Sequence, residues 1–141
     1  SVFDGRYLSR YVGNENIASI SIMGPVTENV TIQITNFNVS GSNAAFINAS
    51  LNGSTLIQSS NYTVQKRSPS GNFGSYALSS PLMKNDSLRI DLNRSLFSSN
   101  ASYQLRLNFN DVVFPQGSIS SNYNDNVEKR YEPALLVVEV W

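Results

Sequence analysis

The sequence predicts an all-β protein, a single antiparallel β-sandwich of about seven to nine strands. Three observations lead to this prediction. Apolar and polar residues alternate with a period of two along most of the chain, turn-forming residues separate the alternating segments, and no segment keeps a helical spacing of apolar residues for three turns. We find no internal repeat and no linker, so one domain is expected.

Three strands and a hairpin are predicted in the first part of the chain. The strands lie where every second residue is apolar: Ile20 and Ile22; Val30, Ile32 and Ile34; Ile47, Ala49 and Leu51. Gly24-Pro25 ends the first of them. Asn52-Gly53 predicts a type I′ turn, because both central residues of that turn need a positive φ. The return strand is expected over 54–58.

The second part of the chain continues the same pattern. Further strands are predicted where apolar residues again alternate with polar ones: Tyr62 and Val64; Leu88, Ile90 and Leu92; Tyr103, Leu105, Leu107 and Phe109. The cluster at 68–71 predicts a turn, and the polar stretch 116–126 predicts a loop. Residues 134–141 are apolar on both faces, which is typical of a central strand buried on both sides.

Composition and charge exclude several functions. The 141 residues include ten basic and ten acidic side chains, no histidine and no cysteine. Zero net charge argues against nucleic-acid binding. The missing residue types exclude Ser-His-Asp and Cys-His catalysis, thiol chemistry, disulfides and zinc-type sites. The carboxylates form no recognisable catalytic or EF-hand pattern, so we expect no enzyme activity, no cofactor and no metal site.

Serine and asparagine dominate the polar surface, with 23 and 18 copies. Eight Asn-x-Ser/Thr sequons occur, against roughly 3.6 expected by chance from this composition. The acceptor asparagines are Asn29, Asn38, Asn48, Asn52, Asn61, Asn85, Asn93 and Asn100. Where a strand can be phased, the sequon asparagine falls on the polar side, which faces solvent. We therefore predict covalent N-glycans and an extracellular location, with no membrane span in what reads as a mature chain.

The first twelve residues form a separate unit in the prediction, with the sandwich domain at 13–141. In extended form, large aromatic and small residues alternate along one face of 1–12, which suits pockets in a groove and β-augmentation of another sheet. The candidate donor-strand residues are Val2, Phe3, Gly5, Tyr7, Leu8 and Tyr11. An ordinary first strand that pairs within its own domain, and a frayed or short helical start, stay open as alternatives.

The aromatic extended N-terminus, the all-β body, the absence of cysteine and the sequon density together resemble the thread-type surface filament subunits of thermoacidophilic archaea. The resemblance covers most of the chain and is one of composition and architecture. It implies an immunoglobulin-like or pilin-like sandwich, N-glycosylation, and head-to-tail polymerisation of identical subunits by donor-strand complementation. It also implies adhesion to other cells or surfaces. We expect the strand at 135–140 to form one wall of the acceptor groove.

A second hypothesis is a monomeric carbohydrate- or protein-binding sandwich of a cell-surface or viral glycoprotein. Its seven tyrosines and Trp141 have the apolar faces that stack on sugar rings. Most of these tyrosines fall on the inward side of their predicted strands, as Tyr103 does, which favours a packing role. The filament subunit is therefore the first hypothesis.

Overall fold

The protein is all-β and its sheets are antiparallel, as predicted. The structure, a computed structural model, describes residues 16–115 and 117–122 with their side chains, and the backbone of 127–132. A 3₁₀ helix, Arg94–Phe97, lies between two of the strands. The strands of the described residues, in chain order, are β1 (Ile17–Met23), β2 (Val30–Ile34), β3 (Asn38–Val39), β4 (Ala45–Leu51), β5 (Ser54–Thr55), β6 (Tyr62–Arg67), β7 (Gly74–Ser75), β8 (Ser87–Leu92), β9 (Ser102–Asn110), β10 (Val112–Val113), β11 (Ile119–Ser121) and β12 (Val127–Glu132).

The strands form two five-stranded sheets and a small ribbon. Sheet A has the order β12-β1-β9-β4-β5, and sheet B has the order β11-β2-β8-β6-β7. Strands β3 and β10 pair with each other. Apart from β4–β5 and β6–β7, the neighbours in each sheet come from distant parts of the sequence, so the register of the sheets depends mainly on long-range pairing.

One apolar core contains side chains from both sheets, an arrangement consistent with a β-sandwich. In sheet A, Ile20 and Ile22 are fully buried, and in sheet B the same holds for Ile32 and Ile90. Each such side chain stabilises the fold by roughly 1.5–3 kcal/mol. A cluster of phenylalanines, with ring centroids 4.8–6.0 Å apart, fills part of this core: Phe37, Phe46, Phe109 and Phe114.

A β-bulge in β4 corrects the predicted face of Ile47. Phe46 and Asn48 pair with adjacent residues of β9, so Ile47 has no partner of its own in that ladder. The extra residue shifts the alternation, and both Phe46 and Ala49 are buried. Ile47, predicted to lie on the buried side with Ala49, is half-buried instead.

The predicted hairpin is present, and its return strand is shorter than expected. Asn52 and Gly53 have φ angles of 50° and 87°, as a type I′ turn requires. Strand β5 ends at Thr55 rather than at residue 58, because the chain turns back over 57–61. The Ile57 N–H donates to the Asn61 side chain and the Asn61 N–H donates to the Ile57 carbonyl, both at 2.8 Å.

The predicted loop at 116–126 contains a strand, which is a second correction. Strand β11 pairs with β2, and its first residue, Ile119, is buried opposite Ile34. Strands β3, β7, β10 and β12 were also not predicted. Seven of the strands in the described residues have five or more residues; the other five have two or three. The predicted strand at 134–141, including the groove wall at 135–140, and the donor segment 1–12 lie outside the described residues.

In each sheet, the register shows which strands begin and which strands finish at the same end of the sheet. In sheet A, β1 ends where β9 begins, because Met23 is opposite Ser102. In sheet B, β2 and β6 begin where β8 ends, because Val30 and Tyr62 are both opposite Leu92. Met23 and Ser102 therefore mark one end of sheet A, and Val30, Leu92 and Tyr62 mark one end of sheet B.

The two sheets share these ends. The β1–β2 connection meets the β8–β9 connection where the Gly24 N–H donates to the Ala101 carbonyl at 2.8 Å. We call this the Met23 end. The opposite end, the Ile17 end, is where β1 begins and where β12 finishes, since Ile17 is opposite Glu132.

Candidate functional site

The eight sequon asparagines lie on the surface of the described fold. Asn48 and Asn61 are half-buried, and the other six are exposed: Asn29, Asn38, Asn52, Asn85, Asn93 and Asn100. Asn48 lies within β4, where its Oδ1 accepts a hydrogen bond from the Asn108 side chain at 2.8 Å. The other seven lie in turns, in the two-residue strand β3 or directly beside a longer strand, where the chain is most accessible.

The sequons are distributed unevenly between the two ends of the fold. Asn38 and Asn85 lie at the Ile17 end, beyond the end of β2 and before the start of β8. Five asparagines lie at the Met23 end, because each precedes or follows a strand that begins or finishes there: Asn29, Asn52, Asn61, Asn93 and Asn100. One end of the domain therefore contains most of the potential glycosylation sites.

Three of these asparagines form a row across adjacent strands of sheet B. Asn29 precedes β2, Asn93 follows β8 and Asn61 precedes β6, and β8 lies between the other two strands. The Asn93 N–H donates to the Asn61 carbonyl at 2.9 Å, which extends the ladder by one residue. The Arg94 N–H donates to Asn29 Oδ1 at 3.0 Å, which ties Asn29 to the same point. We call these three residues the 29–93–61 row.

The row borders a shallow polar cavity of 130 Å³. The buried Tyr62 also lines it, together with carboxylate and hydroxyl side chains from β8, β6 and the preceding turn: Asp91, Thr63, Ser59 and Ser60. Asp91 accepts a hydrogen bond from the Thr31 hydroxyl at 2.6 Å, which holds the carboxylate on the outer face of sheet B.

In six of the sequon asparagines, the side-chain oxygen Oδ1 accepts a hydrogen bond. Asn93 Oδ1 accepts from the Ser95 N–H at 3.0 Å and caps the 3₁₀ helix, and Asn52 Oδ1 accepts from the Gln104 N–H at 2.8 Å. Oδ1 is also the acceptor in Asn29, Asn38, Asn48 and Asn61. Within the described part of the chain, no hydrogen bond is donated by the Nδ2 of a sequon asparagine.

This division matters because N-glycosylation modifies Nδ2 and leaves the amide carbonyl in place. A sugar on Asn93 or Asn52 is therefore compatible with the cap and the hairpin contact. Two of the asparagines also have a conformational role, since Asn52 and Asn85 have φ angles of 50° and 70°. Asparagine tolerates this region better than most residues, which accounts for its presence at these two positions without a sugar.

A cationic cluster lies on sheet B away from the cavity. The guanidinium carbons of Arg67 and Arg89 are 4.8 and 4.3 Å from the centroid of the Phe73 ring. Arg89 also donates to the side chain of Gln65. The nearby Lys66 forms an ion pair with another group, the buried Asp86 carboxylate, at 3.6 Å. The cluster therefore presents two guanidinium groups around one aromatic ring.

Two tyrosines belong to the core and not to a binding surface. Burial raises the pKa of the Tyr76 hydroxyl, which accepts from the Phe46 N–H at 2.9 Å and donates to the Ser80 carbonyl. Burial also raises the pKa of Tyr62, and the backbone N–H of Ala49, which favours the phenolate, lowers it to a smaller extent. In the described part of the chain, the buried Tyr62 hydroxyl has no partner within hydrogen-bond distance and geometry.

The sequence identified the eight sequons but missed the 29–93–61 row and the Arg67–Phe73–Arg89 cluster. The available signal for the row was that each asparagine adjoins an alternating segment. Without the strand order, that signal does not show that the three segments are neighbours. The predicted donor-strand residues Val2, Phe3, Gly5, Tyr7, Leu8 and Tyr11 lie outside the described residues.

No group of three or more acidic, His or Cys side chains that could hold a metal ion occurs among the described residues. In the same residues, no helix is long and apolar enough to span a membrane. No family model, no curated protein and no solved structure matches the chain significantly.

Proposed function

We propose that the chain is the structural subunit of an extracellular, N-glycosylated filament. Residues 1–12 of one subunit insert as a strand into the neighbouring subunit, so that identical chains polymerise head to tail without an enzyme activity or a cofactor. Because this contact is heterologous and does not close, it generates a filament rather than a closed oligomer. Each subunit is then an immunoglobulin-like or pilin-like sandwich completed by its neighbour.

The observation that carries the proposal is the uneven distribution of the sequons. The chain enters β1 at the Ile17 end, and five of the eight sequons lie at the opposite end. Glycans are bulky and hydrophilic, so they oppose close contact between proteins. A segment that extends from the Ile17 end meets the fewest sugars. This supports a protein contact made through the N-terminal segment and a sugar-covered surface at the far end.

Strand β12 provides a second, independent support. It lies at the edge of sheet A and pairs with β1 on one side; among the described strands none pairs with its other side. The other edge strands of the two sheets, β5, β7 and β11, have two or three residues, whereas β12 has six. Only long edges offer enough main-chain groups for β-augmentation. Of the described edges, β12 is therefore the best acceptor for an added strand.

The test is electron microscopy of the full chain with its proposed anchor residues changed. The wild-type chain should form filaments, and a variant with Phe3, Tyr7 and Tyr11 all replaced by serine should stay monomeric. Ser9→Ala, on the same face of the segment, is the matched control and should polymerise. A wild-type chain that stays monomeric at high concentration, or anchor-free chains that still polymerise, would refute the filament.

Glycosylation is tested separately by intact-mass spectrometry of protein from its natural source. The expected result is a set of masses that exceed the chain mass by several identical increments, with the sugars mapped to sequon asparagines. Eight unmodified asparagines would contradict the extracellular, glycosylated part of the proposal. The filament part would still be decided by microscopy.

A second candidate function, a carbohydrate- or protein-binding module, is favoured by the Arg67–Phe73–Arg89 cluster. Two guanidinium groups packed on one aromatic ring present positive charge that suits contact with an anionic partner. If the chain has this function, it should be monomeric and should bind to a glycan array or to a cell surface. Phe73→Ala should abolish that binding. A monomer that binds neither would exclude it.

A further inference from the structure

We propose that Asn29, Asn61 and Asn93 act as a single glycosylation site, in which a glycan on one asparagine prevents glycosylation of the other two. This inference rests on the proposed N-glycosylation and adds to it a rule for how the sequons are used. Each subunit would carry one glycan in the 29–93–61 row.

The three asparagines of the row are closely spaced. Asn93 adjoins Leu92, which is opposite both Val30 and Tyr62, so Asn29 and Asn61 lie on either side of Asn93. Directly opposite residues of antiparallel strands have Cβ atoms about 5 Å apart. A pyranose ring with its substituents is wider than that spacing. Two sugars on adjacent members of the row would therefore overlap unless they turned away from each other.

All three asparagines lie on the outer side of sheet B and border the same space. Their inner neighbours Val30, Leu92 and Tyr62 are buried, so the row follows the outward side of the alternation. All three asparagines line the same 130 Å³ cavity. A sugar attached to any one of them occupies the space that the other two would need.

Hydrogen bonds keep the three side chains from turning away from one another. Their Oδ1 atoms accept backbone N–H groups of Arg94, Ile57 and Ser95 at 2.8–3.0 Å. These bonds fix the orientation of each amide and leave each Nδ2 as the group available for modification. A sugar that rotated its asparagine outward would break such a bond and leave a backbone N–H without its partner.

The cavity also offers partners to the sugar that enters it. The Asp91 carboxylate accepts hydrogen bonds, and the Thr63 and Ser59 hydroxyls both donate and accept them. A hexose has hydroxyl groups of matching chemistry. The first sugar to be attached is therefore held in the cavity and not only tolerated there.

The test is site-resolved glycopeptide and intact-mass spectrometry of the full chain expressed in a glycosylating host. We expect subunits with two or three glycans in the row to be at least about tenfold rarer than the product of the three single-site occupancies predicts, which corresponds to about 1.4 kcal/mol. The five sequons outside the row and one within it give six glycans per chain as the highest mass, instead of eight.

A variant sharpens the test. Ser95→Ala removes the sequon of Asn93 but keeps the Asn93 side chain and its bond to the backbone of residue 95. Occupancy of Asn29 and Asn61 should then rise. Ser102→Ala, which removes the sequon of Asn100 at the same end of the fold but outside the cavity, is the matched control and should leave both occupancies unchanged.

The outcomes separate this inference from the proposal on which it rests. Chains with seven or eight glycans, or row occupancies that multiply as independent events, would overturn the single-site rule while supporting glycosylation. An unglycosylated row on a chain with sugars elsewhere would overturn it as well. A chain with no sugar at any sequon would instead overturn the glycosylation proposal itself.

Discussion

Tyr76 and Tyr62 allow the same substitution to be made with opposite expected results. Both rings belong to the buried core, with relative exposures of 4% and 2%. The Tyr76 hydroxyl bridges the buried Phe46 N–H and the Ser80 carbonyl. The Tyr62 hydroxyl is buried without a hydrogen-bond partner in the described part of the chain. Replacement by phenylalanine removes one oxygen atom in each case and leaves the ring packing in place.

The expected free energies follow from what each hydroxyl leaves behind. In Tyr76→Phe, the Phe46 N–H loses its partner inside the core, which costs about 1–3 kcal/mol. Ser80 is only half-buried, so we expect water to solvate its carbonyl at little cost. In Tyr62→Phe, an unbonded buried hydroxyl is removed, and the free energy of unfolding should rise by about 1 kcal/mol. The two variants should therefore differ by about 3 kcal/mol.

The assay is urea unfolding followed by circular dichroism, with thermal unfolding as a second measurement. A loss of about 2 kcal/mol in Tyr76→Phe corresponds to a decrease of about 6–10 °C in Tm for a domain of this size. The wild-type chain is the reference for both variants, and Tyr62→Phe is the matched control for Tyr76→Phe because each variant loses one hydroxyl and keeps its ring. Equal losses in both variants, or a larger loss in Tyr62→Phe, would refute the assignment of the two hydroxyl groups.

Four further predictions use the same assays. Gly24→Ala should destabilise the domain by about 1–3 kcal/mol or more, because the new Cβ would clash with the backbone carbonyl oxygens of Ser99 and Phe97; a neutral result would contradict the close packing at this turn. Asn52→Ala should lower the free energy of unfolding by about 1–3 kcal/mol, because it loses the hydrogen bond from the Gln104 N–H and places alanine at positive φ. Ser54→Ala removes the same sequon and is the control. It should leave the stability of the unglycosylated protein within about 0.5 kcal/mol of wild type. Burial raises the pKa of Tyr62 and Tyr76 above the ordinary value of 10.0, so the folded state holds both phenolic protons more tightly than the unfolded chain. The free energy of unfolding contributed by these two groups should therefore be constant below about pH 10 and fall as the pH rises through their folded-state pKa. A free energy of unfolding that does not change up to high pH would contradict this. The chain has only ten carboxylates in 141 residues, so acidification changes fewer charges than in a typical domain of this size, and the circular dichroism spectrum should stay native at about pH 2–3; acid unfolding in that range would contradict this reasoning.

The longer alternating strands could be predicted because burial on one side leaves a period of two in the sequence. The side chains of β2 alternate buried and half-buried without a break, and the hydrophobic residues of β8 behave in the same way. The Asn52-Gly53 turn was equally clear, since few residue pairs tolerate two positive φ angles. Both features depend on residues that are close together in the sequence, so they can be recognised without knowledge of the fold.

The remaining strands could not be predicted because their causes are not local. A strand of two or three residues, such as β11, is too short to show a period, and it exists because β2 offers it a partner. The bulge at Ile47 shifts one residue of β4 relative to β9, and an apolar residue at that position fits either face. Pairing across distant segments decides both cases.

The candidate site divides in the same way. Each sequon is a three-residue pattern and was found individually. The row of Asn29, Asn93 and Asn61 depends on the order of β2, β8 and β6 in sheet B, which no short pattern encodes. The uneven distribution of sequons between the two ends likewise became visible once strand directions were known.

The position of β1 determines how the domain responds to mechanical tension. β1 and β12 are antiparallel, and Ile17 and Glu132 are opposite each other at the same end. A force that pulls these two residues apart opens the six residue pairs between β1 and β12 one at a time, as a zipper does. A force that pulls Ile17 along the axis of β1, against an anchor at the far end of β9, instead shears the seven pairs between β1 and β9 together. The domain should therefore resist tension along β1 far better than tension between Ile17 and Glu132.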